Sequence, residues 1–243
     1  MASLNEHVMR IKSHLEHAHL LHAGHDHFLE KLAGEASATT HSKGYLIFQQ
    51  DDKAEYFYLV LSGWVKLYRE TLDGSMAVID ILTTGHLFGE SAIFEDHHYA
   101  YAAEIVEDSE IVALPLSTLK NEVESNSEFA LSLLRLMSRY RRHQAQEIEH
   151  RTIQNTPQRI GCFFLRLIDQ KAIGPVTFEL PYDKTLVAAR LGMKPETFSR
   201  ALQRLRDEAN IEITGSKVIV NDVKTLAEYS CNSCSTEFPC KDV

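Results

Sequence analysis

No apolar run in this 243-residue chain reaches the length of a membrane span, so nothing in it predicts a helix that crosses a bilayer. Its start is rich in His and Glu, which does not read as a secretory signal. Cysteine is scarce: Cys162 stands alone, and Cys231, Cys234 and Cys240 crowd the end. That spread is not the framework of a secreted, disulfide-stapled domain, and it predicts a reducing, cytoplasmic setting. Positive charge is also short, with 25 Lys and Arg against 34 Asp and Glu for a net −9 at pH 7. Taken whole, that balance argues against a polyanionic partner.

What is present changes the picture. The length suggests two domains, and 44% hydrophobic residues can fill ordinary cores. Charge is unevenly shared. Residues 1–149 hold 12 Lys and Arg against 23 Asp and Glu, whereas residues 150–229 hold 12 against 9. The second part is therefore basic by 3, where phosphate contact would want it.

That basic part contains Asp183 to Arg206, DKTLVAARLGMKPETFSRALQRLR, which reads as two short helices joined by a tight turn. Val187, Ala188 and Leu191 form the apolar stripe of the first helix, and small Ala188 permits a close crossing. Gly192 supplies the turn, and Pro195 opens the second helix, where its missing N–H costs nothing. Phe198, Ala201, Leu202 and Leu205 recur at helical spacing and face a core. The opposite face carries Glu196, Ser199, Arg200 and Gln203, side chains of the length and polarity that read base edges in a major groove. Amphipathic helix pairs also occur in domains that never meet DNA. The Gly192–Pro195 turn, the Arg-bearing face and a following hairpin favour DNA.

In chain order, Leu4, Val8, Ile11 and Leu15 predict a helix over 4–22. Histidines crowd this start at His7, His14, His17, His19, His22, His25 and His27. They have two readings: metal or haem ligands, and a titrating, solvated surface. From Tyr45 the period becomes two. Tyr45–Phe48, Tyr56–Leu61, Trp64–Tyr68, Ala77–Leu82 and Ile111–Leu114 read as short strands, separated by turns at Gln50–Asp52, Ser62–Gly63, Leu72–Gly74 and Thr84–Gly85. Short strands at this spacing predict an antiparallel sandwich or barrel.

Residues 116–151 return to helical period. Ala130, Leu134, Met137, Arg141, Gln144, Ile148 and Arg151 form a seam suited to a partner helix. Next come a helix from Thr156-Pro157 ending near Gly174-Pro175, a strand at Val176–Leu180, the helix pair, and a hairpin over Ile211–Val220 turning at Gly215-Ser216. The expected fold is α+β: an N-terminal antiparallel β-roll with its helix over 1–116 and a dimerisation helix over 117–151. A winged helix-turn-helix follows over 152–229, then a Cys-containing tail over 230–243.

From Leu15 to Tyr229 the chain resembles the CRP/FNR family of bacterial transcription regulators. FYLVLSGWVKLYRETLDGSMAVIDILTTGHLFGESAIF is similar to that family's effector domain, and Phe88-Gly89-Glu90 to its effector-pocket turn. Glu196-Thr-Phe-Ser-Arg200 matches the E-x-x-S-R pattern of the FNR-like branch. The resemblance implies a homodimer on a two-fold symmetric site in double-stranded DNA, with RNA polymerase as a further partner. By position, Glu196 would accept from a cytosine amino group, Arg200 would bind guanine, and Ser199 a thymine or phosphate. Thr197, Gln203, Arg204, Lys184 and Lys217 complete the expected DNA-binding set.

Within the family, cyclic-AMP binders carry an Arg followed by Ser or Thr shortly after the Gly-Glu turn. Here the stretch is Glu95-Asp-His-His-Tyr-Ala-Tyr-Ala-Ala103, so the phosphate grip is missing and two acids stand nearby. An N-terminal iron–sulfur cluster is excluded, since the first cysteine is Cys162. Trp64–Tyr68 and the runs at Leu180-Pro181 and Pro195-Glu196-Thr197 are closest to DNR-like regulators, linked to nitric oxide and haem, with an N-terminal histidine as the candidate haem ligand. The tail leaves two readings open. Cys231, Cys234 and Cys240 are candidate ligands for zinc or an iron–sulfur cluster, as in one FNR branch, or they are surface thiols able to form a disulfide.

Two other function classes compete. A β-roll metalloenzyme would use His86, Glu90, His97 and His98, but His97 and His98, read as strand neighbours, point to opposite sides. A cyclic-nucleotide module of a kinase or channel is opposed by the missing Arg–Ser pair and the appended winged helix.

Overall fold

The computed structural model describes residues 2–17, 26–74, 76–168, 172, 174–180, 183–232 and 234, and divides into two units, Met1–Ser138 and Arg139–Val243. His19, His22, His25 and Cys240 lie outside the described residues, as do the side chains of His7 and His17.

In the first unit, α1 (Ala2–His17) and α2 (Asp26–Gly34) turn Ile11, Leu15, Phe28, Leu29 and Leu32 into the core. Lys12 Nζ ties the two helices through Glu30 Oε1 at 2.9 Å. The roll follows: β1 (Ser37–His41), β2 (Leu46–Phe48), β3 (Tyr56–Glu70), β4 (Met76–Thr83), β5 (Leu87–Phe88) and β6 (Ala102–Pro115). All pairings are antiparallel, in the order β1-β6-β3-β4, with β2 also on β6 and β5 on β3. Phe57, Leu59, Val65 and Leu67 point inward with Ile105 and Ile111, each contributing about 2 kcal/mol of transfer free energy.

Ser62–Gly63 is not a turn. β3 runs through it as one 15-residue strand, with register shifts against β6 between Val60 and Val65. The cause is a bulge: Gly63 has φ +87, and a Cβ there would fall 2.1 Å from Ser109 Oγ. The buried Ser109 hydroxyl instead accepts from Trp64 N at 3.0 Å, so the bulge bends the strand without orphaning that amide.

The helical stretch expected over 117–151 is two helices, α3 (Leu116–Ser125) and α4 (Ser127–Ile153). Asn126 breaks it with extended dihedrals. Its Oδ1 accepts from Phe129 N at 3.1 Å, capping α4, while its Nδ2 donates to Glu122 Oε1 at 2.8 Å. Phe129, Leu133 and Leu136 of α4 join the roll's core. Leu131, Leu134, Met137, Ile148 and Ile153 are exposed.

In the second unit, α5 (Thr156–Leu167) opens on a capping box between Asn155 and Gln158 and stops at Leu167, short of the expected Gly174-Pro175. Then come β7 (Val176–Glu179), α6 (Lys184–Arg190), α7 (Pro195–Ala209), β8 (Ile211–Thr214), β9 (Lys217–Val220) and α8 (Val223–Cys231). The small sheet has the order β7-β9-β8 and packs Val218 and Val220 against Ile160, Phe164, Phe198 and Leu205. The sequence reading did not anticipate α8. It is capped by Asp222, which accepts from Lys224 N and Thr225 N, and it crosses α5 so closely that a Cβ on Gly161 would meet Ser230 Oγ at 2.0 Å.

Candidate nucleic-acid interface

The helix pair is assembled from its ends inward. Asp183 caps α6 by accepting from Leu186 N at 2.9 Å. The helix unwinds into the turn through Gly192, at φ +63, with Met193 N returning to Ala188 O at 2.8 Å. Arg159 of α5 donates to the Leu191 carbonyl and so holds the turn from below. Sequence reasoning missed Arg159, because its role depends on a partner 32 positions away. Pro195 occupies the first turn of α7, and Asn210 ends the helix in the left-handed region. Val187 and Ala188 meet Phe198, Ala201, Leu202 and Leu205 in a closed apolar core.

That core leaves one face of α7 in solvent. Glu196, Thr197, Ser199, Arg200, Gln203 and Arg204 are all exposed, as are Lys184 on α6 and Lys217 on β9. Their engagement differs. The Ser199 hydroxyl donates to Pro195 O at 2.9 Å, leaving its lone pairs outward. Gln203 Nε2 reaches Asp207 Oδ1 at 3.2 Å, and Arg204 Nε reaches Glu208 Oε1 at 2.7 Å. Glu196 and Arg200 have no such side-chain partner among the described residues. A solvated cation and a carboxylate, a turn apart on a rigid helix, are free to meet hydrogen-bonding groups of a ligand.

Behind this face, Glu147 of α4 accepts from Arg166 of α5, and its other oxygen lies 3.9 Å from Arg190 of α6. A partly buried ionic link thus joins α4 to the first helix of the pair.

In the roll, the Phe88-Gly89-Glu90 turn is built around aromatic rings. Gly89 has φ +83 and donates its N–H to Tyr101 Oη at 3.0 Å, and a Cβ there would lie 3.1 Å from the Tyr99 ring. Phe48 stacks on Tyr99 at 3.6 Å, and Tyr58 on Phe88 at 5.2 Å. This aromatic set was not singled out in the sequence, because its members come from four separate segments. Glu90 Oε2 is buried and unpartnered among the described residues, and burial pushes its carboxyl above the usual carboxylate range.

The histidines of the roll are dispersed. His97 sits in a turn at φ +59, not in a strand, with Nε2 3.2 Å from Lys120 Nζ. His98 bridges to Lys53, and His86 Nδ1 lies 3.0 Å from Thr83 O. His97 and His98 therefore do not alternate along a strand, contrary to the expectation from sequence. Among the described residues, no three His, Cys, Asp or Glu side chains are gathered to hold a metal. Cys162 is buried in α5, whereas Cys231 and Cys234 are half-buried at the end of α8.

Against known proteins, residues 39–126 match the cyclic nucleotide-binding domain family and residues 158–229 the Crp-like helix-turn-helix domain family. The cyclic AMP receptor protein of Thermus thermophilus is 29% identical over 188 residues, 77% of this chain and 85% of that one. The fumarate and nitrate reduction regulatory protein of Escherichia coli K12 is 25% identical over 191 residues, 77% of this chain and 76% of that one. The crystal structure of a candidate cyclic nucleotide binding protein of Ruegeria pomeroyi DSS-3 is 30% identical, with a TM-score of 0.66, covering 91% of this chain and 97% of that one. With a β-rich effector-type domain, a Crp-like helix-turn-helix and these relatives, the chain belongs to the CRP/FNR family of transcription regulators.

Proposed function

We propose that this protein binds promoter DNA as a homodimer on a two-fold symmetric site, and that it is a regulator rather than an enzyme. The observation that carries the reading is the exposed face of α7. Glu196 and Arg200 stand one helical turn apart, without a side-chain partner among the described residues, on a helix whose other side is locked into a core. In a major groove, Arg200 would donate to guanine O6 and N7 and Glu196 would accept from a cytosine amino group. Ser199 would meet a thymine or a phosphate, and Gln203 a neighbouring edge. Thr197, Arg204, Lys184 and Lys217 would hold phosphates and set register.

The dimer reading rests on α4. Leu131, Leu134, Met137 and Ile148 are exposed there, a stripe that costs free energy in water and gains about 2 kcal/mol per residue when covered. A second copy covers it by symmetry and presents two recognition helices to half-sites one turn of DNA apart. RNA polymerase is the partner through which such binding would act, in the cytoplasm.

The signal in this reading is redox, gaseous or a small molecule, and not cyclic AMP. A cyclic phosphate needs a cation, yet the loop after Glu90 offers Glu95 and Asp96. The test is selection of DNA sites from a random pool, followed by sedimentation of the free and bound protein. Two-fold symmetric sites bound by a dimer are the expected result. Selection of no sequence, or binding by a monomer, contradicts it.

A further inference from the structure

At the end of α8 the Cys234 N–H donates to the Cys231 carbonyl at 3.0 Å, and both cysteines are half-buried. Cys234 Sγ lies 3.2 Å from Nε2 of His150, a buried side chain in the last turns of α4. The other ring nitrogen, Nδ1, lies 3.4 Å from Nη2 of Arg166. An arginine can only donate, so Nδ1 accepts and the ring proton sits on Nε2, aimed at the sulfur.

This orientation separates two chemistries. A metal shared by Cys234 and His150 needs the Nε2 lone pair, which would force the proton onto Nδ1 against the guanidinium. Nucleophilic attack by Cys234 needs no such change, because negative charge that develops on the sulfur is met by an N–H already in place.

We propose that Cys234 is a thiol-oxidation site that reacts with hydroperoxides, with Cys231 as its resolving thiol. Cys234 gives its S–H proton to water and attacks one peroxide oxygen. The S–O bond forms, the O–O bond breaks, and the departing oxygen takes up a proton. The sulfur is oxidised to a sulfenic acid and the peroxide reduced to an alcohol or water. Cys231 then attacks the sulfenic sulfur; the S–S bond forms, the S–O bond breaks, and water leaves with the Cys231 proton. The consequence for DNA rests on the regulator reading above. Oxidation draws Cys234 away from His150, whose neighbours Arg166 and Glu147 lead to Arg190 on α6.

The experiment treats the reduced full-length protein with hydrogen peroxide in the presence of dimedone and maps adducts by peptide mass spectrometry. Wild-type protein is expected to give a Cys231–Cys234 disulfide. Cys231→Ser should stop at a dimedone adduct on Cys234, and Cys234→Ser should give neither product. His150→Ala should slow Cys234 oxidation about tenfold, the worth of one charge-assisted hydrogen bond, while Cys162 reacts at an unchanged rate. His150→Gln, which restores an N–H donor in a folded protein, should recover part of that rate. Equal reactivity of Cys234, Cys231 and Cys162, no effect of either His150 variant, or a stoichiometric metal on anaerobically purified protein would each overturn the proposal. DNA binding by the reduced protein is scored separately. Inert thiols with intact DNA binding sink the oxidation site alone, and no DNA binding in either state sinks the regulator reading.

Discussion

Arg204 Nε lies 2.7 Å from Glu208 Oε1, one turn further along α7, so a cation on the exposed face of that helix is held by a carboxylate of its own helix. The same contact pulls the Glu208 carboxyl below its ordinary range, chiefly through the hydrogen bond from Arg204. Glu208→Gln should release Arg204 for a phosphate and remove a repelling charge. Affinity for DNA is expected to rise two- to fivefold, about the worth of one exposed ion pair, without a change in the preferred sequence. Fluorescence anisotropy at two salt concentrations reads this, and the gain should shrink at the higher one.

The exposed stripe of α4 supplies a second expectation. Leu134→Glu places a charge where Leu134 is 58% exposed in the single chain, so folding should be little affected. Burying two such charges at a symmetric seam is costly, and the protein should sediment as a monomer. DNA affinity should fall at least a hundredfold with it, because two half-sites are no longer engaged together.

Gly63 is expected to be intolerant of any side chain. Gly63→Ala must adopt φ +87 and push a Cβ against Ser109 Oγ and the Asp108 carbonyl. A loss of about 3 kcal/mol is expected, read as a lower urea midpoint. Adding Ser109→Gly should recover only part of it, since the backbone strain and the Asp108 carbonyl contact remain.

Glu90 gives stability a defined pH dependence. Its carboxyl is raised in the folded state by burial, so the unfolded chain ionises first as pH climbs through about 4.3. The contribution to stability is fully present below that value and is lost as pH rises through the folded-state value. Glu90→Gln should therefore be more stable than wild type at pH 7 and indistinguishable from it near pH 4, by urea denaturation at both pH values.

Parts of this architecture could be read directly from residues. Pro195 followed by Phe198, Ala201, Leu202 and Leu205 contains the start, the buried side and, by subtraction, the exposed side of α7, because a helix's faces follow from spacing alone. Other parts depend on partners far along the chain. β1, Ser37–His41, has no apolar alternation and is a strand only because its backbone pairs with β6. Gly63 looks like a turn until Ser109 is placed against it. Asn126 breaks a helix because its side chain satisfies both flanking helices at once. The proximity of Cys234 and His150 joins residues 84 positions apart, which no local pattern could announce.

The most direct test of the central claim is half-site preference in an Arg200→Ala variant. Wild-type protein and variant are titrated by anisotropy onto a selected symmetric duplex and onto duplexes with each half-site G·C pair replaced in turn. The account predicts that the variant loses about 1–3 kcal/mol on the selected duplex and no longer distinguishes one replaced position, while remaining folded and dimeric. Unchanged affinity and an unchanged preference at every position would contradict it.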